Sequence, residues 1–114
     1  MRELIKIIKA LSDPNRLRIL KMLEYKPLCV CEITNVLDLA TSTTSKHLSI
    51  LKETNLIFEQ KENKWVNYHL NRATQQKYVQ EILPLIRKWV NEDDIISQDK
   101  EKVAVVNRLE LCKG

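Results

Sequence analysis

Glycine occurs once in this chain, as the final residue Gly114. A phosphate-cradling loop needs glycine for tight turns and for close approach of the backbone, so the common Gly-rich nucleotide folds are excluded. No apolar run approaches the roughly 20 residues that span a bilayer. The opening Met1-Arg2-Glu3-Leu4 leads into an amphipathic pattern rather than the continuous apolar stretch of a signal peptide, so the expectation is a cytoplasmic protein with no membrane partner. Histidine is scarce as well: the only two, His47 and His69, are not set beside a nucleophile, and the acidic run Glu92-Asp93-Asp94 has no matched acid/base partner. Catalysis is not expected. Three cysteines, an odd number, argue against a secreted disulfide framework and leave thiols for metal or redox chemistry.

What is present fits one domain spanning 1–114. That length supports a single core, and 44% hydrophobic with 30% charged residues is ordinary for a folded chain. The core is thin, so association would help it. The formal charge of +4 permits a nucleic-acid partner, and a symmetric dimer would double it.

The apolar pattern predicts mainly α structure with one small β-hairpin. Leu4, Ile8 and Leu11 mark a first helix, and Asp13-Pro14 supplies an N-cap and a first-turn proline for a second, with Leu17, Leu20 and Leu23 inward. A short third helix over 29–37 buries Ile33, Val36 and Leu37. A fourth, from about Ser42 and capped within Thr41-Ser42-Thr43-Thr44, buries Leu48 and Leu51. Two short helices with a four-residue link read as a helix-turn-helix. Segments 56–61 and 64–70 flank Glu62-Asn63 as strands, with Val66, Tyr68 and Leu70 alternating against Trp65, Asn67 and His69. A hairpin beside a helix-turn-helix is a winged helix. Beyond about Arg72 a helix carries Tyr78, Ile82, Ile86 and Trp89 on one stripe, kinked or divided at Pro84. A last helix over about 98–111 carries Val103, Val106 and Leu109. With the first helix it is assigned to a dimer interface.

A recognition helix must offer short polar and basic side chains at its exposed N-terminal end, where they reach base edges and phosphates in the major groove. Ser42, Thr43, Ser45 and Lys46 meet that requirement; Lys52 is expected near the DNA backbone, and Lys61 and Lys64 flank the hairpin tip as a minor-groove or phosphate contact requires. His47 reads equally as a packed histidine or a DNA contact. The same Ser/Thr cluster also reads as a plain helix cap. Cys29-Val30-Cys31 is the sharper signal. Thiols are soft ligands for thiophilic ions, and a helix N-terminus favours thiolate. Two sulfurs are too few for tetrahedral zinc, and Cys112 stands as a third ligand, a redox partner or neither. Glu32 reads as a solvated charge or a first-turn charge favoured by the helix dipole, rather than as a ligand.

The segments Ala10-Leu-Ser-Asp-Pro-Asn-Arg-Leu-Arg-Ile-Leu20, Leu28-Cys-Val-Cys-Glu-Ile33, Ser45-Lys-His-Leu-Ser-Ile-Leu51 and Lys64-Trp-Val-Asn-Tyr-His-Leu70 together resemble the ArsR/SmtB family of metal-responsive winged-helix repressors, most closely its arsenic-responsive branch. The resemblance implies a homodimer on double-stranded operator DNA, released when As(III) or Sb(III) binds the thiolates of Cys29 and Cys31. It departs from the branch at Thr34, where a third cysteine often stands, so that either Cys112 from one of the two subunits or a small thiol completes the site, or two thiolates suffice. Alternatives within the fold are a persulfide or oxidant sensor linking Cys112 to Cys29 or Cys31, and a Cd(II)/Pb(II) sensor. A winged-helix interaction module that binds no DNA is the alternative outside that class.

Overall fold

The computed structural model describes residues 1–111, the side chain of Leu109 excepted. Helix α1 (Arg2–Leu11) ends at Ser12, and α2 (Pro14–Leu23) starts at Asp13, whose carboxylate accepts from the backbone N–H of Asn15 at 2.8 Å and of Arg16 at 3.1 Å. A two-residue strand β1 (Leu28–Cys29) leads into α3 (Val30–Leu37), which stops at Asp38 in the left-handed region, φ 57°. Helix α4 is Thr41–Glu53. Strands β2 (Ile57–Glu62) and β3 (Trp65–Leu70) form the hairpin, and Asn63 takes the turn at φ 60°, a conformation asparagine tolerates better than most residues. The antiparallel sheet runs β1-β3-β2, with Cys29 opposite Asn67 and Glu62 opposite Trp65. Then come α5 (Lys77–Lys88), α6 (Asp94–Val105) and α7 (Arg108–Leu111).

This is the expected winged helix-turn-helix, with differences that have physical causes. Helix α1 turns Ile7 and Ala10 into the core and leaves Ile8 52% exposed, so its buried stripe lies one residue from the one read in the sequence. Helix α5 runs unbroken through Pro84 and buries Val79, Leu83 and Ile86; Tyr78 and Ile82 flank that stripe and Trp89, beyond the last turn, is exposed. Its terminal carbonyls are met by the buried Lys21, whose ammonium donates to Ile86 O at 2.9 Å and pairs with Glu24 at 2.9 Å. A cation at a helix C-terminus satisfies orphan carbonyls and opposes the dipole's negative end. In β3, Leu70 and Asn67, the latter opposite Cys29 of β1, are buried, whereas Val66 near the tip is exposed. The last helix is not continuous: Asp93 caps α6, and Val106-Asn107 separates it from α7. Arg18 grips the buried Asp99 with two bonds of 2.8 and 2.9 Å, which fixes α6 on α2.

Candidate nucleic-acid interface and thiol site

Thr44, Leu48 and Leu51 lie at helical spacing on the inner face of α4, fully buried against the core. That choice of face determines the other: Ser42, Thr43, Ser45 and Lys46 are exposed on the first two turns, and His47 is half-buried. Ser42, Thr43, Lys46 and His47 come together with Ile50 and Arg16 as the walls of one open groove. Ser45 is exposed outside it. Lys52, at the other end of α4, pairs with Glu59 of β2, and that carboxylate raises the lysine's pKa. Lys61, in β2 opposite Val66, and Lys64, in the two-residue turn Asn63-Lys64, are both exposed, Lys64 with its ammonium 5.2 Å from the Trp65 ring centre.

Arg16 is the groove residue that sequence reasoning missed. A cation in the first turn of a helix is opposed by the dipole there, and so calls for partners elsewhere. Its guanidinium donates to Ala10 O at 2.8 Å and to Lys9 O at 3.2 Å, and lies 3.2 Å from Nδ1 of His47. One side chain thus joins the end of α1, the start of α2 and the outer face of α4.

The thiols have a different setting. Cys29 is the N-cap of α3, 4% exposed, and its backbone N–H donates to Glu32 Oε1 at 3.0 Å. Burial pushes the Cys29 thiol pKa up, and the hydrogen bond from the Glu32 backbone does not offset it. The helix N-terminus therefore does not prevail here, and the thiolate read from the sequence is disfavoured. Cys31 is half-buried and disulfide-bonded, so Cys29 is the free thiol among the described residues. Cys112 lies outside them. Glu32 is not a solvated charge: it is buried and accepts from Arg108 Nη2 at 2.8 Å, while the Arg108 guanidinium lies 5.0 Å from the Trp65 ring centre. Thr34, one turn after Cys31, has a buried hydroxyl with no hydrogen-bond partner among the described residues. Among the described residues no group of three Cys, His, Asp or Glu side chains is placed to hold a metal ion. Nor is any described helix long and apolar enough to cross a membrane.

A helix-turn-helix whose second helix offers an exposed polar and basic end beside a wing defines a DNA-binding transcription regulator. Comparison with known proteins agrees. Residues 13–58 match the family described as bacterial regulatory protein, arsR family. The arsenical resistance operon repressor of Escherichia coli (strain K12) is 40% identical over 116 residues, covering 96% of this chain and 89% of that one. Among solved structures, reduced HlyU from Vibrio cholerae superposes with a TM-score of 0.64 at 29% identity, over 79% of this chain and 90% of that one. The homodimeric winged helix-turn-helix DNA-binding domain from Mycobacterium bovis gives 0.64 at 23%, over 76% and 77%, a likeness of fold. The chain belongs to the arsR family, whose members are transcriptional regulators and not enzymes, and its function is that of a DNA-binding repressor of this type.

Proposed function

We propose that this chain represses transcription as a homodimer on double-stranded operator DNA and is released when As(III) or Sb(III) is held by its cysteines. The observation carrying the reading is the position of Cys29 and Cys31: they bracket the start of α3, which packs on α4, and Cys29 pairs through its backbone with the wing at Asn67. As(III) or Sb(III) bonds to thiolate sulfur, and two cysteines supply the soft donors such ions select. A pyramidal three-sulfur set needs one more, from Cys112 or a small thiol. The disulfide at Cys31 is first opened by thiol–disulfide exchange with two equivalents of an external low-molecular-weight thiol, which leave joined as their own disulfide. Drawing the buried Cys29 sulfur toward a shared ligand then strains the β1–β3 pairing and the start of α3, and α4 packs on α3 and on β2, the strand paired with β3. Release follows because the liganded thiols favour the arrangement that fits DNA less well.

On the DNA side, Ser42, Thr43, Ser45, Lys46 and His47 meet the groove, and Lys61 and Lys64 of the wing meet the phosphates. Dimerisation uses the apolar surface left on the N- and C-terminal helices: Ile5 and Ile8 on α1, Leu85 on α5, then Trp89, Val90, Ile95 and Val105, all exposed. The Mycobacterium bovis domain, described as homodimeric, supports this.

The test is fluorescence anisotropy of the fully reduced protein on labelled DNA from upstream of its own gene, titrated separately with As(III), Sb(III), Cd(II), Zn(II) and a persulfide donor. Release by As(III) or Sb(III) alone is expected. Duplex binding that none of them disturbs would overturn the inducer assignment, and a folded protein that binds no such duplex would point to an interaction module. A second reading rests on the disulfide at Cys31: an oxidant or persulfide sensor. Release by the persulfide donor and not by As(III) would select it.

A further inference from the structure

We propose that Arg16 fixes His47 as the Nε2–H tautomer, which makes His47 a neutral hydrogen-bond donor for an acceptor atom of the DNA. The inference rests on the DNA-binding reading above. An arginine guanidinium has donors only, so the 3.2 Å contact from Arg16 Nη1 to His47 Nδ1 requires a lone pair on Nδ1. In a neutral imidazole the proton is then on Nε2. Nε2 has no hydrogen-bond partner among the described residues, and the ring lines the same groove as Ser42, Thr43 and Lys46.

The guanidinium is not free to turn away. Nε is held by Ala10 O at 2.8 Å and Nη2 by Lys9 O at 3.2 Å, both among the last carbonyls of α1, while Asp13 Oδ2 lies 3.9 Å from Nη1. Arg16 therefore spends its charge inside the protein, on helix-terminal carbonyls, a carboxylate and a ring nitrogen. It is a positioning residue, and His47 is the side chain that touches DNA. The division predicts a contact of a particular kind: directional, uncharged at His47, and selective for an acceptor such as a phosphate oxygen or a purine N7.

Two measurements test this. Long-range proton–nitrogen NMR of the reduced, DNA-free protein at about pH 8, above the usual imidazole range, reads the tautomer directly, with His69→Gln assigning the other ring. The Nε2–H form is expected for His47, and a mixture of tautomers in Arg16→Lys, whose single ammonium cannot span the same three acceptors. DNA titrations across salt concentration read the role. His47→Ala should bind about tenfold more weakly with an unchanged salt slope, since no charge is removed. His47→Gln, whose terminal amide donates at nearly the reach of Nε2, should stay within about threefold of wild type, and His47→Asn should not. An Nδ1–H tautomer with DNA binding intact would overturn this proposal alone, as would wild-type affinity in His47→Ala or a reduced salt slope in that variant. A wild-type chain that binds no duplex would overturn the role of His47 together with the DNA reading, whatever the tautomer.

Discussion

The groove on α4 and the thiols at the start of α3 lie on adjoining helices and are built in opposite ways. On α4 the side chains that meet a partner are exposed, and rigidity comes from beneath, from Thr44, Leu48 and Leu51 inside and from Arg16 alongside. At α3 the chemistry itself is buried. Cys29 and Glu32 are almost inaccessible, and Glu32 holds both the Cys29 N–H and the Arg108 guanidinium. A surface that binds by charge and shape needs no movement to engage. A buried thiol that binds a ligand must move something, and motion at a helix cap is what a sensor has to transmit.

The comparison breaks most sharply at the cysteines. Cys29→Ser and Cys31→Ser in the reduced protein should each abolish the response to As(III), turning a coupling of about 5- to 150-fold into none, while DNA affinity without inducer stays near wild type. Anisotropy titrations with and without As(III) measure both quantities. A variant that still releases DNA normally would show that the α3 thiols do not carry the signal.

Thr34→Cys sharpens the same contrast. Residue 34 lies one turn beyond Cys31, on the same side of α3, and its hydroxyl is buried with no partner among the described residues, so replacement forfeits no hydrogen bond seen there. A third sulfur there should tighten As(III) binding by about tenfold, the factor that about 1.4 kcal/mol provides. Competition with a dithiol chelator reads it. Unchanged affinity would mean that residue 34 does not face the ligand and that the third donor comes from elsewhere.

On α4 the lysines divide. Lys46 lines the groove with no partner charge beside it among the described residues, whereas Lys52 is already paired with Glu59. Lys46→Ala should lower the salt slope of DNA binding by about 0.9 for each phosphate that the lysine neutralises. Lys52→Ala should change it by less, because an ion pair within the protein has partly neutralised that charge. Equal slopes for the two variants would place Lys52 on the DNA as firmly as Lys46.

Much of this could be read from the sequence where local rules decide. Asp13-Pro14 and the Leu48/Leu51 face are signals that reside in a few neighbouring residues, and each is where it was expected; the hairpin turn falls at Asn63-Lys64, one residue beyond the expected Glu62-Asn63. Long-range pairings could not be read so. Strand β1 has two residues and exists only because β3 lies beside it; Glu32 is buried only because Arg108, 76 positions away, meets it. The thiol pKa failed for the same reason: the helix dipole is visible in the sequence, and the burial that opposes it is a property of the assembled fold. Trp89 and Val66 are exposed at the ends of their elements, where periodicity continues on paper and the core has ended.

The smallest expected effect concerns Asp13, which serves the reading side through α2 and Arg16. Burial alone would raise its carboxyl pKa, but the N–H groups of Arg16 and Asn15 and the Arg16 charge outweigh that, so it titrates below its ordinary value in the folded chain. A depressed folded pKa means that the ionised carboxylate stabilises the fold above the unfolded value of about 3.9, and that this contribution is lost as pH falls through the folded value. Asp13→Ala should therefore cost about 1 kcal/mol at pH 7, as the loss of an N-cap usually does, and progressively less as acid protonates the wild-type side chain. Urea titrations of both proteins between about pH 7 and pH 2.5 measure the difference across that window. A cost that did not shrink in acid would assign Asp13 a role independent of its charge, and Arg16 would then owe its position to the α1 carbonyls alone.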